Sequence, residues 1–64
     1  MNMLVNRYLG EKVIVTLDTG DKHQGILEDV IDPEYIGYVK VHNGDEVVFF
    51  PEDQIENIKP ELLN

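Results

Sequence analysis

Apolar and polar residues alternate along much of this chain, which predicts short β-strands rather than long helices. The first predicted strand covers residues 12–17. Every second residue from Val13 to Leu17 is apolar and points to one face, with Ile14 on the opposite face. An apolar stripe at helical spacing, with Leu4 and Tyr8 four residues apart, predicts a short helix from Met3 before it.

The pattern predicts eight elements in all. They are a helical segment within residues 1–10 (the helix itself at 3–9), strands at 12–17, 22–31, 35–42, 46–50 and 55–59, a tight helical turn at 51–54, and a tail at 60–64. Turn-forming residues separate the strands, above all the pair Asn43-Gly44. Gly25, inside the second strand, predicts a bend or a close approach of another backbone.

Five short strands joined by tight turns favour closure into a barrel over an open sheet. We therefore predict one all-β domain over residues 1–64, a small five-stranded barrel with a short N-terminal helix. A domain of this size buries only about 60% of its unfolded surface. Because the chain has no cysteine for a disulfide, self-association is expected to add stability.

The fourth predicted strand is apolar on both faces, since it contains the run Val47-Val48-Phe49-Phe50. A barrel has one core, so the second apolar face needs a cover. Either the N-terminal helix covers it or a second copy of the chain does, through its edge strands. On the second interpretation a homo-oligomer interface contains Ile14, Val48, Phe50 and Ile55.

Charge narrows the range of partners. The 64 residues include 13 acidic and 5 basic ones, giving a net charge of −8. Binding to nucleic acid is driven by Lys and Arg, so the charge disfavours RNA and anionic membranes. A ring of subunits could still gather one Lys from each. The acidic surface serves solubility or attracts a basic protein partner.

No catalytic constellation is evident, so we expect no enzyme. Thr16 and Thr19 are the only hydroxyl nucleophiles of the Ser/Thr type, and neither belongs to a known arrangement with histidine. His23 and His42 are the only histidines and lack zinc-site partners, so no metal or cofactor is expected. With no apolar run approaching ~20 residues and no secretory signal, we expect a cytoplasmic protein without a membrane partner.

Residues 9–20, the Gly25-Ile26-Leu27 triplet and Asp32 resemble the first motif of the Sm-like family, which includes the eukaryotic Sm/LSm proteins and bacterial Hfq. The resemblance implies a small five-stranded barrel of the Sm-like or SH3-like type, which assembles edge to edge through its fourth and fifth strands. Members that bind uridine-rich RNA carry Asp and then Asn in the loop after the second strand. Residues 32–36 lack that Asn, and 51–54 are acidic where the family has a basic residue or His beside glycine.

Two stretches, 28–34 and 50–55, also resemble the PRC-barrel family, whose members are mostly non-catalytic interaction modules. Three functions stay open. The chain is an oligomeric adaptor or inhibitor that binds a protein partner, or an RNA-binding protein with a divergent pocket around Tyr35, Lys40 and His42. The third function is a small-ligand or nucleotide-binding assembly with pockets between subunits. In the RNA interpretation, Tyr35 stacks on a base.

Overall fold

A computed structural model describes residues 3–62 and shows one short helix and a β-sheet. The elements are α1 Met3–Tyr8, β1 Lys12–Leu17, β2 Lys22–Asp29, a 3-10 turn Pro33–Tyr35, β3 Tyr38–Asn43, β4 Glu46–Pro51, a second 3-10 turn Glu52–Gln54 and β5 Ile55–Pro60. The outermost parts of the predicted helical segment 1–10 and tail 60–64, residues 1–2 and 63–64, lie outside the described residues. Within residues 3–62, no helix has the length and apolar character needed to cross a bilayer.

The five strands form one sheet in the order β4-β3-β2-β1-β5, and all neighbouring strands are antiparallel. The first four strands form a meander, and β5 returns beside β1. This architecture confirms the predicted all-β class with an N-terminal helix. In the described ladders β4 and β5 are the two sheet edges and do not pair with each other, so closure of the barrel stays a prediction.

The core lies on one face of the sheet, here called the inner face, and every strand contributes to it. Its buried members are Val5, Val13, Val15, Leu17, Leu27, Val39, Val41, Phe50 and Ile58. Val5 is fully buried, so α1 covers part of the inner face. The chain after α1 is tied to the sheet, because Gly10 N donates to Leu27 O at 2.7 Å. A helix this short depends on such packing.

Gly25 fits the predicted close approach of two backbones. Its φ is +151°, a conformation that L side chains rarely adopt. A Cβ placed there would overlap the carbonyl oxygen of His42 and lie 2.9 Å from both the carbonyl carbon of His42 and Cγ1 of Val41. Only glycine allows β2 and β3 to pack this closely at that point.

The start of β3 differs from the prediction. Tyr35 is not in the strand but ends the first 3-10 turn, and β3 begins at Tyr38. Two local features favour the turn: Pro33 stands in its first position, and Asp32 Oδ1 accepts a hydrogen bond from Glu34 N at 3.0 Å. The second strand likewise ends at Asp29, two residues earlier than predicted. This turn determines where Tyr35 lies.

Candidate binding surface

Three side chains of β3 lie on the outer face of the sheet, opposite the core. Tyr38, Lys40 and His42 are half-buried, and they alternate with the buried Val39 and Val41. Since neighbouring strand residues point to opposite faces, the alternation confirms that these three share one face, as predicted. A ligand role for Lys40 and His42 stays a prediction.

An aromatic cluster lies at the β4 side of this face. The ring of Tyr35 is 5.5 Å from that of Tyr38, edge to face at 79°. It is 5.7 Å from the ring of Phe49, tilted by 37°. These separations fall in the range in which aromatic pairs attract each other. Tyr35 and Phe49 remain 42% and 47% exposed, so the cluster presents apolar rings to solvent.

Val47 extends the cluster along β4. It is two residues from Phe49, therefore on the same face, and it is 51% exposed. We call Tyr35, Tyr38, Val47 and Phe49 the outer patch. None of the contacts described for α1 reaches it, because α1 packs against the inner core. The helix therefore accounts for part of the inner face and leaves the outer patch uncovered.

The two basic candidates border the outer patch, but an acidic residue accompanies them. Lys40 stands opposite Glu28 on β2 and opposite Phe49 on β4. Nε2 of His42 lies 3.4 Å from Oε1 of Glu28, and both side chains are partly exposed. Glu28 offsets the positive charge beside the outer patch. The pair Lys40 and His42 is thus a poor site for a phosphate group.

The predicted oligomer interface is only partly on the outer face. Phe50 is 3% exposed and belongs to the core, so its predicted place at an interface is wrong. Its ring stacks on that of His23, with centroids 5.6 Å apart and planes at 17°. Val48 and Ile55 are half-buried and pack against the core, whereas Ile14 is half-buried on the outer face. An interface role for Ile14, Val48 and Ile55 stays a prediction.

The inward position of Phe50 follows from strand register. Asn43 pairs with Glu46, which leaves a two-residue connection between β3 and β4. Val39 then lies opposite Phe50, and Val41 lies opposite Val48. Partners across a ladder share a face, so the buried valines place Val48 and Phe50 on the inner face.

The concave sites described within residues 3–62 are small, and those residues include no metal-binding cluster. Three pockets lined by residues within 3–62 have volumes of about 190, 200 and 240 Å³. Sites for drug-sized ligands usually have volumes of ~300–1,000 Å³. No group of His, Cys, Asp and Glu in the described part of the chain could hold a metal ion. The outer patch is therefore the main candidate surface.

Comparisons with protein-family models, with curated proteins and with solved structures find no match. The resemblances to the Sm-like and PRC-barrel families therefore stay predictions.

The sequence prediction included Tyr35 but not the other members of the outer patch. For Val47 and Phe49 a usable signal existed. Any two-residue connection at Asn43-Gly44 or Gly44-Asp45 pairs odd-numbered residues of β3 with even-numbered residues of β4. With Val39 and Val41 in the core, odd-numbered residues of β4 must face outward.

Proposed function

We propose that this chain is a non-catalytic binding module that acts as an adaptor or inhibitor by docking a protein partner on the outer patch. The observation that carries the proposal is the exposed aromatic cluster of Tyr35, Tyr38 and Phe49. Aromatic residues are enriched at protein interfaces and supply much of the energy of binding.

The charge of the chain indicates the kind of partner. With a net charge of −8, the protein repels other acidic molecules and attracts basic ones over a range set by the salt concentration. A basic protein with an apolar contact region therefore complements the outer patch in both respects. Such a partner could itself be a nucleic-acid-binding protein whose site the acidic chain occupies.

Site-specific photo-cross-linking tests this function. A benzoyl-phenylalanine in place of Phe49 should give a protein adduct in cells that produce the chain naturally. The matched control places the same group at Asn57, an exposed residue on the far edge strand β5. Protein adducts at residue 49 and none at residue 57 support the proposal. Equal labelling at both positions, or none at residue 49, contradicts it.

RNA binding is the second candidate, because one specific feature favours it. Tyr35 and Phe49 are exposed rings, and Phe49 stands opposite Lys40. Base stacking on an aromatic side chain contributes ~1–3 kcal/mol per base. The position of Glu28 beside Lys40 and the overall charge oppose it. Fluorescence anisotropy with short uridine-rich and adenine-rich RNA at low salt tests it. Saturable binding that Tyr35→Ala abolishes supports this candidate, and no binding rejects it.

Self-association through edge strands, which the sequence also predicts, would compete with a partner for β4. A small core and two edge strands are compatible with it. Light scattering over a range of protein concentrations measures it directly.

A further inference from the structure

The free edge of β4 carries backbone N–H and C=O groups that make no hydrogen bond to β3. Glu52 N donates to Gly37 O at 2.8 Å, which sets the phase of the β3–β4 ladder. Antiparallel ladders alternate between hydrogen-bonded and non-hydrogen-bonded pairs. Phe50 and Val48 therefore bond to β3, while the N–H and C=O of Val47 and Phe49 point away from the sheet.

Proline supports this phase. Pro51 pairs with Tyr38 at a non-hydrogen-bonded position, where its missing N–H removes no bond from the ladder. The edge of β4 thus offers N–H and C=O groups at Val47 and Phe49, with the same two side chains on the outer patch. Backbone groups and apolar side chains lie together at one edge.

The other edge strand, β5, is protected against strand addition. Its register with β1 contains a bulge at Thr16/Leu17, and Pro60 stands near its end. Glu61 N donates to Lys12 O at 2.9 Å, so by alternation Pro60 faces the free edge and offers no donor. Bulges, prolines and charges such as Glu56 are the usual protections of an edge. Between Val47 and Phe50, β4 has none of them.

The charges around β4 select the occupant. Its apolar centre is flanked by Asp45 and Glu46 at one end and by Glu52 and Asp53 at the other, and residues 43–58 contain no Lys or Arg. Antiparallel pairing of β4 with β4 of a second copy would bring these acidic ends together, which is destabilising. A strand with basic ends would be attracted to them.

We infer that the free edge of β4 binds an extended segment of the partner as an added β-strand, whose alternate apolar side chains cover Val47 and Phe49 and whose ends are rich in Lys or Arg. This inference rests on the proposed function and specifies its partner and mode of docking. Main-chain hydrogen bonds supply affinity in strand addition, and side-chain pockets supply specificity.

Two labelled peptides test the inference by fluorescence anisotropy. The probe is the peptide Lys-Lys-Val-Thr-Val-Thr-Val-Lys-Lys. The control peptide has the same sequence, with the backbone amides of its Val and Thr residues N-methylated. A net hydrogen bond contributes ~0.5–1.5 kcal/mol. Losing two donors should therefore weaken binding about 30-fold. A third peptide with Glu in place of Lys should not bind.

Matched variants locate the contact. Val47→Pro removes the outward N–H without removing a ladder bond, and Val47→Thr keeps both the N–H and the branched shape. The proline variant should bind the probe about fivefold more weakly than the threonine variant, with far-UV circular dichroism confirming that both are folded. If Val47→Pro does not fold, the N-methylated peptide still decides the question.

The outcomes separate the inference from the proposed function. Equal binding of the methylated and unmethylated peptides, lost in Phe49→Ala, would reject strand addition and leave docking on the outer patch. No binding of the basic probe would reject the inference, while the cross-link at residue 49 would still decide the proposed function. Self-association that Val47→Pro abolishes and the probe does not inhibit would assign the edge to a second copy and reject the inference.

Discussion

Replacing Gly25 with alanine should destabilise the fold more than the same replacement at Gly10, Gly20, Gly37 or Gly44, where an added Cβ meets nothing within 4 Å. Alanine at this position would have to adopt a φ of +151°, and its Cβ would overlap backbone atoms of His42. Backbone strain costs ~1–3 kcal/mol, and overpacking costs ~1–3 kcal/mol more. The sum is ~2–6 kcal/mol, against ~3–10 kcal/mol for the stability of a chain of this length.

Gly37→Ala is the matched control for this experiment. Gly37 also has a positive φ, of +84°, but nothing lies within 4 Å of its added Cβ. The Gly37→Ala protein should therefore lose only the stability that backbone strain costs, with no loss from overpacking. Urea unfolding followed by far-UV circular dichroism should show Gly25→Ala less stable than Gly37→Ala by ~1–3 kcal/mol, or already unfolded. A difference below ~0.5 kcal/mol would refute the packing of β2 against β3 described above.

Two further pairs of substitutions test which face of β4 is buried and which contact stabilises the turn before β3. Phe50→Ala should cost ~3–5 kcal/mol because it empties a core site, whereas Phe49→Ala, on the exposed face, should cost under ~1 kcal/mol; equal losses in urea unfolding would contradict the register. Asp32→Ala should cost ~0.5–1 kcal/mol by removing the hydrogen bond to Glu34 N, and Asp32→Asn should restore most of it; identical thermal unfolding of all three proteins would rule that bond out as a stabilising contact.

The strands could be predicted from the sequence because alternation and turn residues agreed. β1 was predicted at 12–17, where it lies, since Val13 and its alternate neighbours form an unambiguous inner face. The predicted start of β3 is wrong because residues 35–37 extend the alternating pattern of the strand toward its N-terminal side. The cap at Asp32 and the positive φ of Gly37 favour a turn locally, and alternation does not show them.

The outer patch was harder to predict. Four apolar residues in succession give β4 no alternation, so its pattern alone does not show which side chains face the core. The contact of Tyr35 with Phe49 depends on a turn and a strand register that bring together residues distant in sequence. The net charge, by contrast, is a property of the sequence, and it predicts either a solubilising surface or attraction of a basic partner.

Amide hydrogen exchange, measured residue by residue with and without the basic probe peptide, tests the central claim most directly. If an added strand occupies the edge of β4, the amides of Val47 and Phe49 gain protection, while that of Ile58, which faces the free edge of β5, does not. Unchanged exchange at both Val47 and Phe49 in the presence of saturating probe would contradict the account.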